Sequence, residues 1–168
     1  YDKYSEKGAF LRDKAEKADL DILIDSAGTS NYHIGDHPDK RTILNAKRHQ
    51  IDISHLCARQ FTVADFDKFD YIFAMDSSNY ADIISLARND QDRYKVELIL
   101  NRVYPNSNMS VPDPYFGGEQ GFENVYILLD KACDVIIESL KKKKKKKMDM
   151  TTKGTLYLIP TTLGDTAE

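Results

Sequence analysis

Three short apolar runs decide what this chain can fold into. Asp21-Ile22-Leu23-Ile24-Asp25, Phe69-Asp70-Tyr71-Ile72-Phe73-Ala74-Met75 and Val96-Glu97-Leu98-Ile99-Leu100 are rich in β-formers. The first two end directly in small polar residues, Ser26-Ala27-Gly28-Thr29-Ser30 and Asp76-Ser77-Ser78-Asn79, and the third in the loop of residues 101–118. Between and around the runs, apolar residues recur at helical spacing. Gly8 to Ala18 carries Phe10, Leu11, Ala15 and Ala18 on one face. Asp39 to His49 follows Pro38, which suits a first turn. Asp76 to Asn79 offers caps for a helix through Leu86 and Ala87. Phe122 to Leu140 places Val125, Leu128, Leu129, Ala132, Ile136 and Leu140 on one stripe. Strands alternating with helices predict an α/β protein, a three-layer doubly wound parallel sheet. Ligands of such sheets bind beyond the carboxyl ends of the strands, where the three polar loops converge.

Composition narrows the class. A chain of 168 residues has room for one domain, and 41% hydrophobic with 30% charged residues fits a globular protein. A net charge of -3 gives no reason to expect nucleic acid as a partner. No run approaches the roughly 20 apolar residues of a membrane span, so no membrane partner is expected. The polar start, Tyr1-Asp2-Lys3-Tyr4-Ser5-Glu6-Lys7, does not resemble a secretory signal. Two distant cysteines, Cys57 and Cys133, fit a reducing, cytoplasmic setting. None of the four histidines, His33, His37, His49 and His55, joins them at zinc spacing, so no metal or other cofactor is expected.

The loop Val111-Pro112-Asp113-Pro114-Tyr115-Phe116-Gly117-Gly118 is the sharpest chemical signal. Val111 and Asp113 each precede a proline, which restricts both to extended geometry. One restrained carboxylate beside two rings is suited to hand a proton to an aromatic leaving group. The same residues also make an ordinary turn in which Asp serves turn chemistry.

Four blocks in order resemble the low-molecular-weight protein-tyrosine phosphatases. They are Asp25-Ser26-Ala27-Gly28-Thr29-Ser30-Asn31-Tyr32-His33-Ile34-Gly35, then Ala58-Arg59-Gln60, then Phe69 to Asn79, then Asp113-Pro114-Tyr115-Phe116-Gly117. The resemblance spans about Gly8 to Leu140. It implies hydrolysis of phosphotyrosine proteins or aryl phosphates through a phosphocysteine intermediate. In the family, the thiolate comes from a Cys-x5-Arg-Ser/Thr loop between the first strand and first helix. Backbone N–H groups at the helix N-terminus and the arginine lower the thiol pKa and hold the phosphate. The resemblance implies that Asp113 is the general acid and base. Tyr115 and Phe116 would form one wall of the aromatic slot, with Tyr32 on the other. Ser26 would hydrogen-bond the phosphate loop. His33, His37 and His55 read as surface or capping residues, and Asp76 and Asn79 as helix caps.

The nucleophile loop is not in this sequence. Six positions after Cys57 stands Val63, and six after Cys133 stands Ser139, where an arginine would be needed. Cys133 reads as a small buried residue of the last helix. The expectation is therefore a phosphatase-like domain over residues 1–140 that is incomplete at its N-terminus, with the first central strand missing and no activity as written. The alternative is a non-catalytic phosphopeptide- or partner-binding module.

Residues 141–168 form a second segment. Lys141 to Lys147 is an unbroken lysine run. It reads as a basic patch for acidic lipid or nucleic acid, as a solvated helix end, or as an adenine-rich slippage site. Gly154-Thr155-Leu156-Tyr157-Leu158-Ile159-Pro160-Thr161-Thr162-Leu163-Gly164 resembles the opening of the tetrapyrrole-methylase-like ribosomal RNA methyltransferases. A fusion or read-through tail, disordered or loosely docked, is expected there.

Overall fold

The computed structural model describes residues 6–29, 40–50, 59–113, 118–146 and 154–159. Helix α1 (Glu6–Lys17) leads into strand β1 (Ile22–Ser26). Helices α2 (Lys40–Arg48) and α3 (Ala64–Lys68) precede β2 (Tyr71–Ala74), and α4 (Ser77–Leu86) and α5 (Asp90–Tyr94) precede β3 (Val96–Leu98). A 3-10 turn (Ile99–Arg102) opens the long loop towards α6 (Gly118–Lys146), and β4 (Gly154–Ile159) follows. The sheet order is β1-β4-β2-β3, and every pairing is parallel. The doubly wound parallel sheet read from the apolar runs is thus the fold of the chain.

Strand β2 shows why both faces must be covered. Ile72, Phe73, Ala74 and Met75 are all fully buried, which is why this strand reads as a continuous apolar run. Side chains alternate across a strand. Ile72 and Ala74 join Phe61, Phe66, Phe69 and Ile83 on the face of α3 and α4. Phe73 and Met75 join Leu11, Val125, Leu129 and Ile136 on the face of α1 and α6. Helix α6 reaches that core with Val125, Leu129, Ala132 and Ile136, and Cys133 is buried there as its sequence position predicts. Lys14 of α1 pins the two helices together through Asp130 at 2.8 Å and Asp134 at 2.7 Å. Burial alone would lower the Lys14 pKa. Its bonds to the two carboxylates outweigh that and hold the ammonium above its usual range.

The sheet edges are short or covered, as unpaired ladders require. Strand β3 has only three residues. At β1, the Arg12 guanidinium donates to the Ile24 carbonyl at 2.8 Å.

Three expectations change. The third apolar run ends as a strand at Leu98, not Leu100. Ile99 and Leu100 turn into the 3-10 segment, where Tyr104 N donates back to the Leu100 carbonyl at 2.8 Å. The last helix does not stop at Leu140: it runs 29 residues, from Gly118 into the lysines. Gly118 begins it at φ 58°, a left-handed conformation that glycine adopts without strain. The third change is the largest. The tail expected to dock loosely contributes β4, the strand between β1 and β2, with Ile24 opposite Leu156 and Ile72 opposite Tyr157. The central position expected to be vacant is therefore filled, from the C-terminal side of the chain. A parallel sheet cannot leave two facing inner edges unpaired without stranding buried backbone donors and acceptors, and Thr155 to Ile159 is a β-forming sequence.

Candidate active site

Three loops meet at the carboxyl ends of β1 and β2. The first is stapled by backbone: Gly28 N donates to the Arg59 carbonyl and Phe61 N to the Gly28 carbonyl, both at 2.8 Å. The second begins α4. Asp76 is its N-cap and accepts from Asn79 N at 2.8 Å, as its sequence position predicts. The Asn79 side chain does more than complete a turn. It is 1% exposed, and its Nδ2 donates to Thr29 Oγ1 at 3.1 Å, joining the second loop to the first. Its Oδ1 is buried and accepts no hydrogen bond from the described residues. The third loop, residues 103–113, is tied to the second at two points. Val111 N donates to the Met75 carbonyl at 2.8 Å, and Ser77 N donates to Ser110 Oγ at 3.0 Å.

These ties place the sequence-predicted acid. Val111 is buried, and Asp113 is half-buried two residues further on. The anchor at Val111 and the fixed φ of Pro112 leave the Asp113 backbone little freedom. Asp113 therefore stands on the loop hydrogen-bonded to the end of β2. Ser26 closes β1 and is half-buried, its N–H accepted by Asp25 Oδ1 at 2.8 Å. Tyr32, Tyr115 and Phe116 lie outside the described residues, as do His33, His37, His55 and Cys57.

One cluster was not assigned a role from sequence. The Arg59 guanidinium spans two carboxylates, Asp25 at 3.1 Å and Asp65 at 3.0 Å. Asp65 is buried and also accepts from Thr62 N at 2.8 Å. This network fastens the end of β1 to the start of α3. The spacing Thr62-x-x-Asp65 was the available signal, because a carboxylate three residues after Thr can reach back to the helix start.

Chemically, the arrangement offers a carboxyl group with hydroxyl and amide groups at the carboxyl ends of parallel strands. The described cysteine, Cys133, is fully buried in the core of α6 and cannot act as a nucleophile in these loops. Among the described residues no cluster of His, Cys, Asp and Glu could hold a metal ion. No described helix is long and apolar enough to cross a membrane.

Fold and site together define a doubly wound α/β protein with an acid-bearing loop at its strand ends. The sequence profile of the family described as low molecular weight phosphotyrosine protein phosphatase matches residues 5–146. The chain belongs to that family. It is 43% identical over 124 residues to the Schizosaccharomyces pombe low molecular weight phosphotyrosine protein phosphatase, covering 72% of this chain and 78% of that one. Against the Homo sapiens protein of the same description, identity is 40% over 116 residues, covering 68% and 72%. Among solved structures, the protein tyrosine phosphatase from Entamoeba histolytica superposes with a TM-score of 0.75 at 32% identity, covering 83% of this chain and 90% of that one. Strand β4 lies beyond the matched stretch.

Proposed function

We propose that this chain carries the proton-transfer half of a phosphotyrosine phosphatase site and does not itself turn over phosphomonoesters. In a complete site, Asp113 protonates the departing phenolate and then, as a base, activates the water that cleaves the phosphocysteine. Tyr115, Phe116 and Tyr32 flank the aryl group, and Ser26 steadies the phosphate loop. The substrates of such a site are phosphotyrosine proteins and aryl phosphates, and a cytosolic location suits its free cysteine. The observation that carries the inactivity is that neither Cys57 nor Cys133 is followed six residues later by arginine. Losing nucleophile and phosphate ligand together leaves the acid nothing to assist.

The same absence weakens the binding-module reading, because most of the anion-binding energy of such sites comes from the phosphate cradle. We read the tail as a fusion or read-through product, with its junction at the lysine run. DNA sequence across the lysine codons tests that point.

The decisive assay uses the full chain with para-nitrophenyl phosphate and with a phosphotyrosine peptide, before and after thiol alkylation. The expected rate is that of buffer in every arm. Turnover well above buffer that alkylation abolishes would overturn the proposal.

A further inference from the structure

The lysine run takes no part in the site at the strand ends, yet Lys143 borders a cavity of about 250 Å³ between β2 and the last turns of α6. Tyr71, which lines it, begins β2, whereas the acid loop is tied to Met75, just past the other end of that strand. The walls are apolar: Phe73 and Ile136 are buried, and Tyr71 and Leu140 are half-buried. The polar groups are Arg102, Ser139 and Lys143. Both cations are held over the rings. Lys143 Nζ is 4.9 Å from the Tyr71 centroid, and the Arg102 guanidinium is 5.2 Å from that of Phe73.

The charges do not balance. Arg102 is paired with Glu97 and donates to Ser139 Oγ at 3.4 Å. Lys143 donates to the Tyr71 hydroxyl, and among the described residues no carboxylate pairs with it. Two cations and one carboxylate leave a single positive charge in excess. Donors remain as well. An ammonium has three, of which Tyr71 takes one, and the Ser139 hydroxyl that accepts from Arg102 keeps its own O–H to give. Apolar walls beside one uncompensated cation and a spare hydroxyl complement one anionic head on an apolar body. A carboxylate matches the single charge, whereas a phosphate dianion exceeds it. A cavity of roughly 150 Å³ takes benzene, so this one has room for one ring and a head group. We propose that it binds a small apolar monocarboxylate, with the carboxylate on Lys143 Nζ and Ser139 Oγ and the body against Phe73, Ile136 and Leu140.

Titration of the full chain with phenylacetate, followed by calorimetry and by backbone amide shifts, tests the proposal. Saturable binding with a Kd on the order of 1 mM is expected, with the largest shifts at Tyr71, Ser139 and Leu140. Neutral phenylacetamide should bind about tenfold more weakly, as should phenylacetate to Lys143→Gln. Lys142→Gln removes the same charge from an exposed neighbour in the run and should change affinity by no more than about twofold, because exposed charges are screened. Ser139→Leu fills the cavity, keeps every lysine and should abolish binding. Equal losses in K142Q and K143Q, equal affinity for acid and amide, or binding retained by S139L would each overturn the proposal. So would the absence of saturable binding, or shifts centred on Asp113.

Discussion

The acid loop and the central strand are both joined to β2 or its end, and they are held by different kinds of bond. The loop is fixed by particular residues: Val111 N on the Met75 carbonyl, Ser110 on Ser77, and prolines beside Asp113. The strand is held by ladder pairing along β1 and β2, which any β-forming segment of the right length can supply. The difference teaches what each level of the structure demands. A parallel sheet needs a strand at its centre but does not need a given sequence there. A catalytic site needs a thiolate and an arginine at fixed places, and a substitute strand does not bring them. On the proposed function, the sheet is closed where the chemistry is not.

The comparison can be broken from either side. Its largest expected effect is at the strand. Leu156→Pro removes one ladder donor from an inner strand, where proline is not accommodated, and leaves a buried carbonyl unsatisfied. A loss of roughly 3 kcal/mol is expected in chemical denaturation. A change near zero would mean that the sheet does not depend on β4. At the loop side, Asp76→Ala deletes the cap of α4 and should cost about 1 kcal/mol. The double variant should show nearly additive losses, because cap and strand lie on different elements.

The smallest effect lies away from both regions. Arg88 donates to Asp67 at 2.6 Å and to Asp92 at 2.9 Å. Those hydrogen bonds hold both carboxyls below their usual range. A depressed carboxyl contributes stability that is full above its unfolded value of about 3.9 and is lost as pH falls through the folded value. Arg88→Gln should therefore lower stability slightly in the neutral region and flatten the acid limb, so that its difference from the parent chain shrinks as pH falls below about 4. An equal drop at pH 7 and pH 3 would show that Arg88 acts through packing instead.

Much of this was legible in the sequence, for reasons that also mark where reading stops. Ile72 to Met75 is apolar on both faces, so its strand and its two covering layers follow from four residues. The cap at Asp76 and the buried position of Cys133 follow from local chemistry and helical spacing. Helices α3 and α5 have five residues each and are too short for periodicity to register. The end of β3 was missed because Ile99 and Leu100 are as apolar as Val96 and Leu98. Only the turn made by Tyr104 N separates them. The site loops were legible because their motif residues sit next to their anchors. The Arg59 bridge was not, because Asp25 and Asp65 are 40 positions apart. The strand character of Thr155 to Ile159 was readable, but its place was not, since order along a chain does not fix order across a sheet.

The central claim is that a strand from the C-terminal segment closes the middle of this sheet. Hydrogen exchange on the full chain tests it most directly. Amides of residues 155–159 should be protected to within roughly tenfold of those of Ile72, Phe73 and Ala74, opening only with the global fold. Exchange of 155–159 at the rate of an unstructured tail, while β2 stays protected, would contradict the account.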